Sequence, residues 1–112
     1  MKILILEDEP IIAIDLEDIV ASRLDADIVI ASTLREAVKE VARGVDFALL
    51  DVRLGEGRQT CLPVARMLLE QGVPFCFVSS FAANIPGAFM GVPRIQKPFR
   101  EDQIGQVLPS AA

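Results

Sequence analysis

The sequence predicts an α/β domain in which five strand–helix units, (βα)5, build a doubly wound, five-stranded parallel sheet with helices on both faces. Short apolar blocks of strand length alternate with longer blocks in which apolar residues recur at helical spacing. The block at residues 45–50 is apolar except for Asp46, which is typical of a strand buried on both faces. The five units use all 112 residues, so we expect one domain spanning residues 1–112.

The predicted elements follow one another without a linker or an internal repeat. A loop rich in glycine and charge, DVRLGEGRQ, separates the third strand from the third helix. The strands are predicted at Lys2–Leu6, Asp27–Ala31, residues 45–50, residues 74–78 and Arg94–Gln96. The helices are predicted at residues 10–24, between Thr33 and Gly44, and at residues 61–71, 82–91 and 100–108.

Several helix boundaries carry sequence signals. Pro10 suits the first turn of a helix, and Thr33 with Glu36 forms a T-x-x-E capping box. Thr60 is the predicted N-terminal cap of the third helix. Residues 82–91 contain one proline and two glycines, which weaken a helix, so we expect a short or mobile segment there.

Composition excludes several classes of function. No apolar run approaches the roughly 20 residues of a membrane span, and the apolar start is too short for a secretory signal, so we expect a soluble cytoplasmic protein. The net charge of −5 argues against a nucleic-acid surface. The chain has no histidine and supplies no His-based triad, general base or metal ligand. Cys61 and Cys76 lack metal spacing and lie in or beside apolar runs, which predicts buried free thiols.

Polar residues collect at the predicted carboxyl ends of the strands, where the sites of parallel sheets lie. In the segment ILILEDEP, an apolar strand runs directly into acids. Acids sharing one shallow pocket would raise each other's pKa unless a cation joined them, and oxygen-only ligands suit Mg²⁺. We therefore predict a magnesium site at this edge. The polar residues at the strand ends are Glu7, Asp8, Asp51, Ser79, Ser80 and Lys97.

Asp51 is the candidate nucleophile of this edge. A carboxylate beside Mg²⁺ can attack a phosphoryl group and form an aspartyl phosphate, whose oxygens Lys97 and the Ser79 hydroxyl would bind. Each residue alone has a plainer explanation: Asp8 as a charge at a helix N-terminus, Ser79 as a turn or cap, and Lys97 as a surface lysine. Their combination at the ends of different strands favours the site.

This combination resembles the receiver domain of bacterial two-component response regulators over the whole chain. The segments ILILEDEP, FALLD, PFCFVSSF and QKPF are similar to that family's acidic pair, phosphoacceptor strand, switch-hydroxyl strand and lysine motif. LDVRLG, PFCFVSSF and QKPF also resemble the FAT GUY branch of single-domain receivers from alphaproteobacteria, with FVSSF in place of Phe-Ala-Thr-Gly-Tyr. The resemblance implies a flavodoxin-like, CheY-like sheet with strand order 2-1-3-4-5.

The resemblance also implies roles for the site residues. Asp51 would accept phosphate from a histidine of a partner protein, either a sensor histidine kinase or a histidine phosphotransfer protein. Asp8 and Asp51 would bind Mg²⁺ directly, Glu7 mostly through water, and Arg53 through its backbone carbonyl. Lys97 would pair with the phosphoryl group, and the Lys-Pro peptide bond at this position is typically cis in the family.

The implied switch residues depart from the family pattern at two positions. Ser79 stands where threonine is more common, and it keeps the hydroxyl that would move toward the phosphoryl group. Ser80 occupies a position that is usually small. Arg94 replaces the Phe or Tyr that turns inward on activation, so we expect output through residues 82–91 and Phe81. Phe81 also lies in a position that tunes dephosphorylation in receivers.

Two other phosphate-handling functions fit the sequence less well. A haloacid-dehalogenase-type phosphatase needs a second acid two residues after its nucleophile, where this chain has Arg53, another residue that tunes dephosphorylation in receivers. A P-loop or dinucleotide binder needs a glycine-rich turn after the first strand, where this chain has EDEP. Two alternatives stay open: a receiver-like docking module that does not use phosphate, and a receiver excised from a longer hybrid kinase or regulator.

We expect a phosphorylatable single-domain receiver without a DNA-binding output. It would catalyse only its own phosphorylation and dephosphorylation, and it would act as a monomer. The kinase would bind the first helix, residues 10–24. A downstream protein target would bind the surface formed by residues 82–108.

Overall fold

The computed structural model describes residues 1–55, 58–80 and 84–109. The strands are β1 (Lys2–Leu6), β2 (Asp27–Ala31), β3 (Phe47–Leu50), β4 (Arg53–Leu54), β5 (Gln59–Thr60), β6 (Phe75–Ser79) and β7 (Arg94–Gln96). The helices are α1 (Pro10–Arg23), α2 (Leu34–Arg43), α3 (Leu62–Gln71) and α4 (Glu101–Val107), with a 3₁₀ turn at Gly87–Phe89. Within the described ranges, no helix combines the length and the apolar composition needed to cross a membrane.

Five of the strands form one parallel sheet in the order β2-β1-β3-β6-β7. These are the five predicted strands in the predicted order 2-1-3-4-5, and the doubly wound fold is confirmed. The register aligns Leu6 with Leu50, and Leu50 with Phe77. Because all strands run the same way, the residues that follow them meet at one edge of the sheet.

The sheet separates two apolar layers. Helices α2 and α3 cover one face, where Ala37, Val41 and Leu68 pack with the strand residues. Helices α1 and α4 cover the other face, where Leu16 and Ile104 do the same. Helices therefore lie on both faces, as a parallel sheet with crossover connections requires.

The two cysteines are buried free thiols, as predicted. Cys61 lies in the layer beneath α2 and α3, and Cys76 lies in the opposite layer. Burial raises the pKa of each thiol to about 12, so both stay protonated near neutral pH.

Most predicted helix boundaries agree with the structure to within a residue. The Glu36 N–H donates to Thr33 Oγ1 over 3.1 Å, which caps α2 as the T-x-x-E pattern predicts. The N-cap of α3 is Cys61 and not Thr60, although Thr60 Oγ1 accepts a hydrogen bond from the Leu62 N–H over 3.3 Å. The predicted cap is therefore displaced by one residue, although the Thr60 side chain still accepts a hydrogen bond from the first turn of the helix.

Two strands differ from their predicted bounds. β3 begins at Phe47 and not at residue 45, and Asp46 instead accepts a hydrogen bond from the Lys2 N–H through its side chain. β6 begins at Phe75 and extends to Ser79, one residue later than predicted at both ends. The shift at its start follows from Pro74, which has no N–H to contribute to the ladder.

The segment predicted at residues 82–91 does not form a full helix in the part that the structure describes, and it is short, as its proline and glycines led us to expect. Residues 84–91 hold one 3₁₀ turn, Gly87–Phe89, while residues 82 and 83 lie outside the described ranges. Proline and glycine oppose a longer helix here. The turn is held by Phe89, which is 2% exposed and whose ring stacks edge-on against Phe75 and Phe77, with centroids 6.4 and 5.7 Å apart.

The sequence did not predict the small hairpin that follows β3. Arg53 pairs with Thr60 and Leu54 with Gln59 in an antiparallel ladder. Leu54 is 1% exposed, so this hairpin is packed onto the core. The hairpin lies at the carboxyl edge of the sheet and begins two residues after Asp51.

Candidate functional site

Three carboxylates meet where the central strands end. Glu7 follows β1 directly and Asp51 follows β3, so the register of the two strands places them side by side. One carboxylate oxygen each from Glu7, Asp8 and Asp51 lies within 4.8 Å of the others. Glu7 is 1% exposed and Asp51 7%, while Asp8 is partly exposed. The structure thus brings together the acids that the sequence predicted.

Lys97 lies among these acids. It follows β7, and its backbone N–H donates to the Ser79 carbonyl over 2.7 Å. Its Nζ is 2.6 Å from Glu7 Oε1 and 3.4 Å from Asp51 Oδ1. The peptide bond between Lys97 and Pro98 is cis, as the resemblance implied. The close contact with Glu7 was not predicted, since Glu7 was expected to act mostly through water.

The cluster is short of positive charge. Burial, the contact with Glu7 and the charges of Glu7 and Asp8 raise the pKa of Asp51 to about 8, against the opposing effect of Lys97. Burial lowers the pKa of Lys97, but the hydrogen bond to Glu7 and the two nearby carboxylate charges outweigh it and raise that pKa overall. Three acids and one ammonium group leave a surplus of negative charge.

The residues present fit a bound Mg²⁺. All three candidate side-chain ligands are carboxylate oxygens, the donors that Mg²⁺ prefers, and they lie close enough to share one ion. A divalent cation would also offset the surplus negative charge of three carboxylates beside one ammonium group. Arg53, the predicted carbonyl ligand, begins β4 two residues after Asp51.

The hairpin of β4 and β5 contacts the site through Asp8. The Gly55 N–H donates to Asp8 Oδ2 over 3.0 Å. Gly55 follows β4 and has φ of +58°, in the left-handed region. This contact joins residues 47 positions apart in the chain and was not predicted from the sequence.

The predicted switch residues lie beside the acid cluster. Ser79 ends β6 and is 1% exposed, whereas Ser80 is exposed. Together with Arg94 and Gln96 they line a cavity of about 270 Å³. Arg94 pairs with Phe77 at the start of β7, two residues before the strand end, and it also lines an apolar cavity of about 350 Å³ beneath the 3₁₀ turn. Phe81 lies outside the described residues.

The chain is similar to several known proteins, although no family model matches it. The solution structure of SdrG from Sphingomonas melonis Fr1 is 36% identical, with a TM-score of 0.82 over 96% of this chain and 92% of that chain. The response regulator REC domain of PhyR from Erythrobacter litoralis is 28% identical, with a TM-score of 0.77 over 99% of this chain and 95% of that chain.

A curated relative is longer than this chain. The phyllosphere-induced regulator PhyR from Methylorubrum extorquens is 32% identical over 114 aligned positions, which cover 98% of this chain. The match covers 43% of that regulator, so the chain spans less than half the length of this relative.

Proposed function

The chain belongs to the receiver domains of response regulators, and from this premise we propose that Asp51 accepts a phosphoryl group from a phosphohistidine of a partner protein in a reaction that needs Mg²⁺. Such a domain is a signalling domain rather than a classical enzyme. The observation that carries the proposal is the cluster of three carboxylates around Lys97 at the carboxyl edge of the sheet. We propose that residues 1–112 act as one receiver domain.

In the proposed reaction, an Asp51 carboxylate oxygen attacks the phosphorus atom. An O–P bond forms, the P–N bond of the donor breaks, and the released imidazole nitrogen takes up a proton from solvent. Glu7, Asp8 and Asp51, with the Arg53 carbonyl, would hold Mg²⁺. The chemistry that the bound ion supplies is neutralisation of the charge on the carboxylates and on the phosphoryl oxygens.

Lys97 and Ser79 are proposed to bind the transferred group. The Lys97 ammonium group lies 3.4 Å from Asp51 Oδ1 and so stands within reach of a phosphoryl group on Asp51. The Ser79 hydroxyl lies at the end of the neighbouring strand and lines the adjoining polar cavity. A charged donor and a hydroxyl donor near the same oxygens stabilise the charge that develops during transfer.

Output is proposed to pass to a protein partner through the face that carries Arg94. Arg94 lines both the polar cavity beside Ser79 and the apolar cavity that contains Phe89. A change at the phosphorylation site could thereby reach the 3₁₀ turn without the usual inward rotation of an aromatic ring. We propose that the chain belongs to the FAT GUY branch of receivers. We also propose that it works in the cytoplasm, because its two buried free thiols suit a reducing compartment.

The proposed function is tested by intact-mass spectrometry after incubation with acetyl phosphate. The wild type should gain one phosphoryl group with Mg²⁺ and none without it, and Asp51→Asn should gain none because an amide is a poor nucleophile. Asp25→Asn, an exposed acid before β2, is the matched control and should label like the wild type. Wild-type labelling of Asp51→Asn would remove Asp51 from the role. If the wild type gains no phosphoryl group from acetyl phosphate or from a histidine kinase, the result would favour a docking module that does not use phosphate.

The partner kinase is predicted to bind the exposed start of α1. A donor histidine must reach Asp51, and α1 begins beside the acid cluster with Ile11 and Ile14 exposed by 84% and 54%. The double variant Ile11→Ala, Ile14→Ala should slow phosphotransfer from a sensor kinase that phosphorylates the wild type by about tenfold or more. Labelling by acetyl phosphate should not change, because that donor needs no protein surface.

Leu69 provides the matched control for this surface. It is 48% exposed on α3, at the opposite end of the sheet from Asp51. Leu69→Ala should leave transfer from the kinase unchanged. Equal effects of the α1 and α3 substitutions would show that the kinase does not use the α1 surface.

A further inference from the structure

The hairpin formed by β4 and β5 has a fixed position over the acid cluster. Its base is tied to the core, because Leu54 is 1% exposed and the Cys61 N–H donates to the Val52 carbonyl over 2.9 Å. Its antiparallel ladder joins Arg53 to Thr60. The backbone at the end of β4 is therefore placed by these contacts with the core.

Three groups contact the three carboxylates, one of them the Glu9 N–H, which donates to Glu7 Oε2 over 3.2 Å. Lys97 contacts Glu7 and Asp51. The third carboxylate, Asp8, accepts a hydrogen bond from the Gly55 N–H over 3.0 Å. Asp8 is partly exposed and lies beside two other acids, so repulsion favours rotation of its side chain toward solvent. The Gly55 N–H opposes that rotation.

We propose that the backbone N–H of Gly55 is a positioning group for the metal site, which orients the Asp8 carboxylate toward Glu7 and Asp51. The inference rests on the proposed function, since it assigns a role in Mg²⁺ binding. A carboxylate has about four lone-pair sites, so a single N–H leaves capacity for a cation. Groups that hydrogen-bond a metal ligand commonly set its orientation and its affinity for the metal. By reciprocity, metal binding at Asp8 should change the environment of the Gly55 N–H in the hairpin.

The contact depends on glycine at position 55 for a backbone reason. The φ of +58° lies in the left-handed region, which residues other than glycine, asparagine and aspartate rarely adopt. A Cβ atom at Gly55 would meet no heavy atom within 4 Å. Alanine would therefore act by shifting the backbone, and with it the direction of the N–H, and not by a collision.

The test is a Mg²⁺ titration followed by ¹H–¹⁵N NMR. Gly55→Ala should weaken Mg²⁺ binding by about tenfold. Gly55→Asn should restore most of the affinity, because asparagine tolerates the left-handed conformation. In the wild type, the Gly55 amide resonance should shift with the same midpoint as the resonances of the acid cluster.

Gly72→Ala is the matched control. Gly72 has φ of +70°, has no atom within 4 Å of a Cβ position, and lies after α3 at the opposite edge of the sheet. Alanine at position 72 would have the same backbone strain as alanine at position 55, but Gly72 has no contact with Asp8. Gly72→Ala should therefore leave Mg²⁺ affinity unchanged. Wild-type affinity in Gly55→Ala, or equal losses in the two alanine variants, would overturn the inference alone. Absence of Mg²⁺ binding in the wild type would overturn the proposed function and the inference together.

Discussion

Replacing Lys97 with methionine should lower the free energy of unfolding by about 3 kcal/mol in Mg²⁺-free buffer. Lys97 forms a 2.6 Å ion pair with Glu7, whose side chain is fully buried, and it also lies near Asp51. Methionine keeps the apolar stem but removes the charge, which leaves the buried Glu7 carboxylate without a cation. Urea unfolding followed by circular dichroism at pH 7 measures the change.

Two further variants separate the buried pair from a general loss of charge. Adding Glu7→Gln to Lys97→Met should recover most of the stability, because the amide removes the uncompensated charge. Lys2→Met breaks a 3.0 Å pair with Glu40 that is more exposed, and it should cost less than about 1 kcal/mol. The explanation fails if Lys97→Met costs no more than Lys2→Met.

The sheet could be predicted closely because its strands have clear chemical boundaries. β1, β2 and β7 have the predicted bounds. β1 ends where the charged Glu7 follows it, and β7 lies between Pro93 and Lys97. The segment at residues 84–91 could not be predicted in the same way. The position of Phe89 in this segment depends on ring contacts with Phe75 and Phe77 in β6. No local sequence pattern encodes those contacts.

The acid cluster could be predicted from topology alone, but its hydrogen bonds could not. Residues after parallel strands must meet at one edge, so Glu7 and Asp51 were placed together by the strand order. Which acid Lys97 approaches most closely depends on differences of less than 1 Å between side chains. The Gly55 contact uses a backbone donor, and a backbone N–H leaves no signature in the sequence.

The hairpin was missed for a related reason. Each of its strands has two residues, which is too short for an alternating pattern to be recognised. The glycines of the loop indicated a turn but not which segments it joins. The pairing becomes evident only when the buried Leu54 fixes one strand against the core.

Removing the ionisable group of Asp51 should stabilise the metal-free protein in a pH-dependent way. The folded state raises the pKa of Asp51 from its ordinary value of 3.8 to about 8, so between these values the folded protein holds a proton that the unfolded chain releases. The free energy of unfolding of the wild type therefore falls as pH rises from about 4 to about 8. Asparagine cannot ionise, so Asp51→Asn should exceed the wild type by about 1–3 kcal/mol at pH 8 and by much less near pH 4.

Mg²⁺ should narrow this difference, because the ion binds the folded wild type and replaces repulsion between carboxylates with attraction. At ten times its dissociation constant, a ligand that binds only the folded state adds about 1.4 kcal/mol to the free energy of unfolding. Asp51→Asn loses one of three carboxylates and should gain less at the same Mg²⁺ concentration. Urea unfolding at pH 5, 6.5 and 8, with EDTA or with Mg²⁺, measures both effects, and Asp25→Asn should follow the wild type throughout. A constant difference between Asp51→Asn and the wild type across this pH range would contradict the raised pKa, whereas equal Mg²⁺ stabilisation of both would remove Asp51 from the metal site.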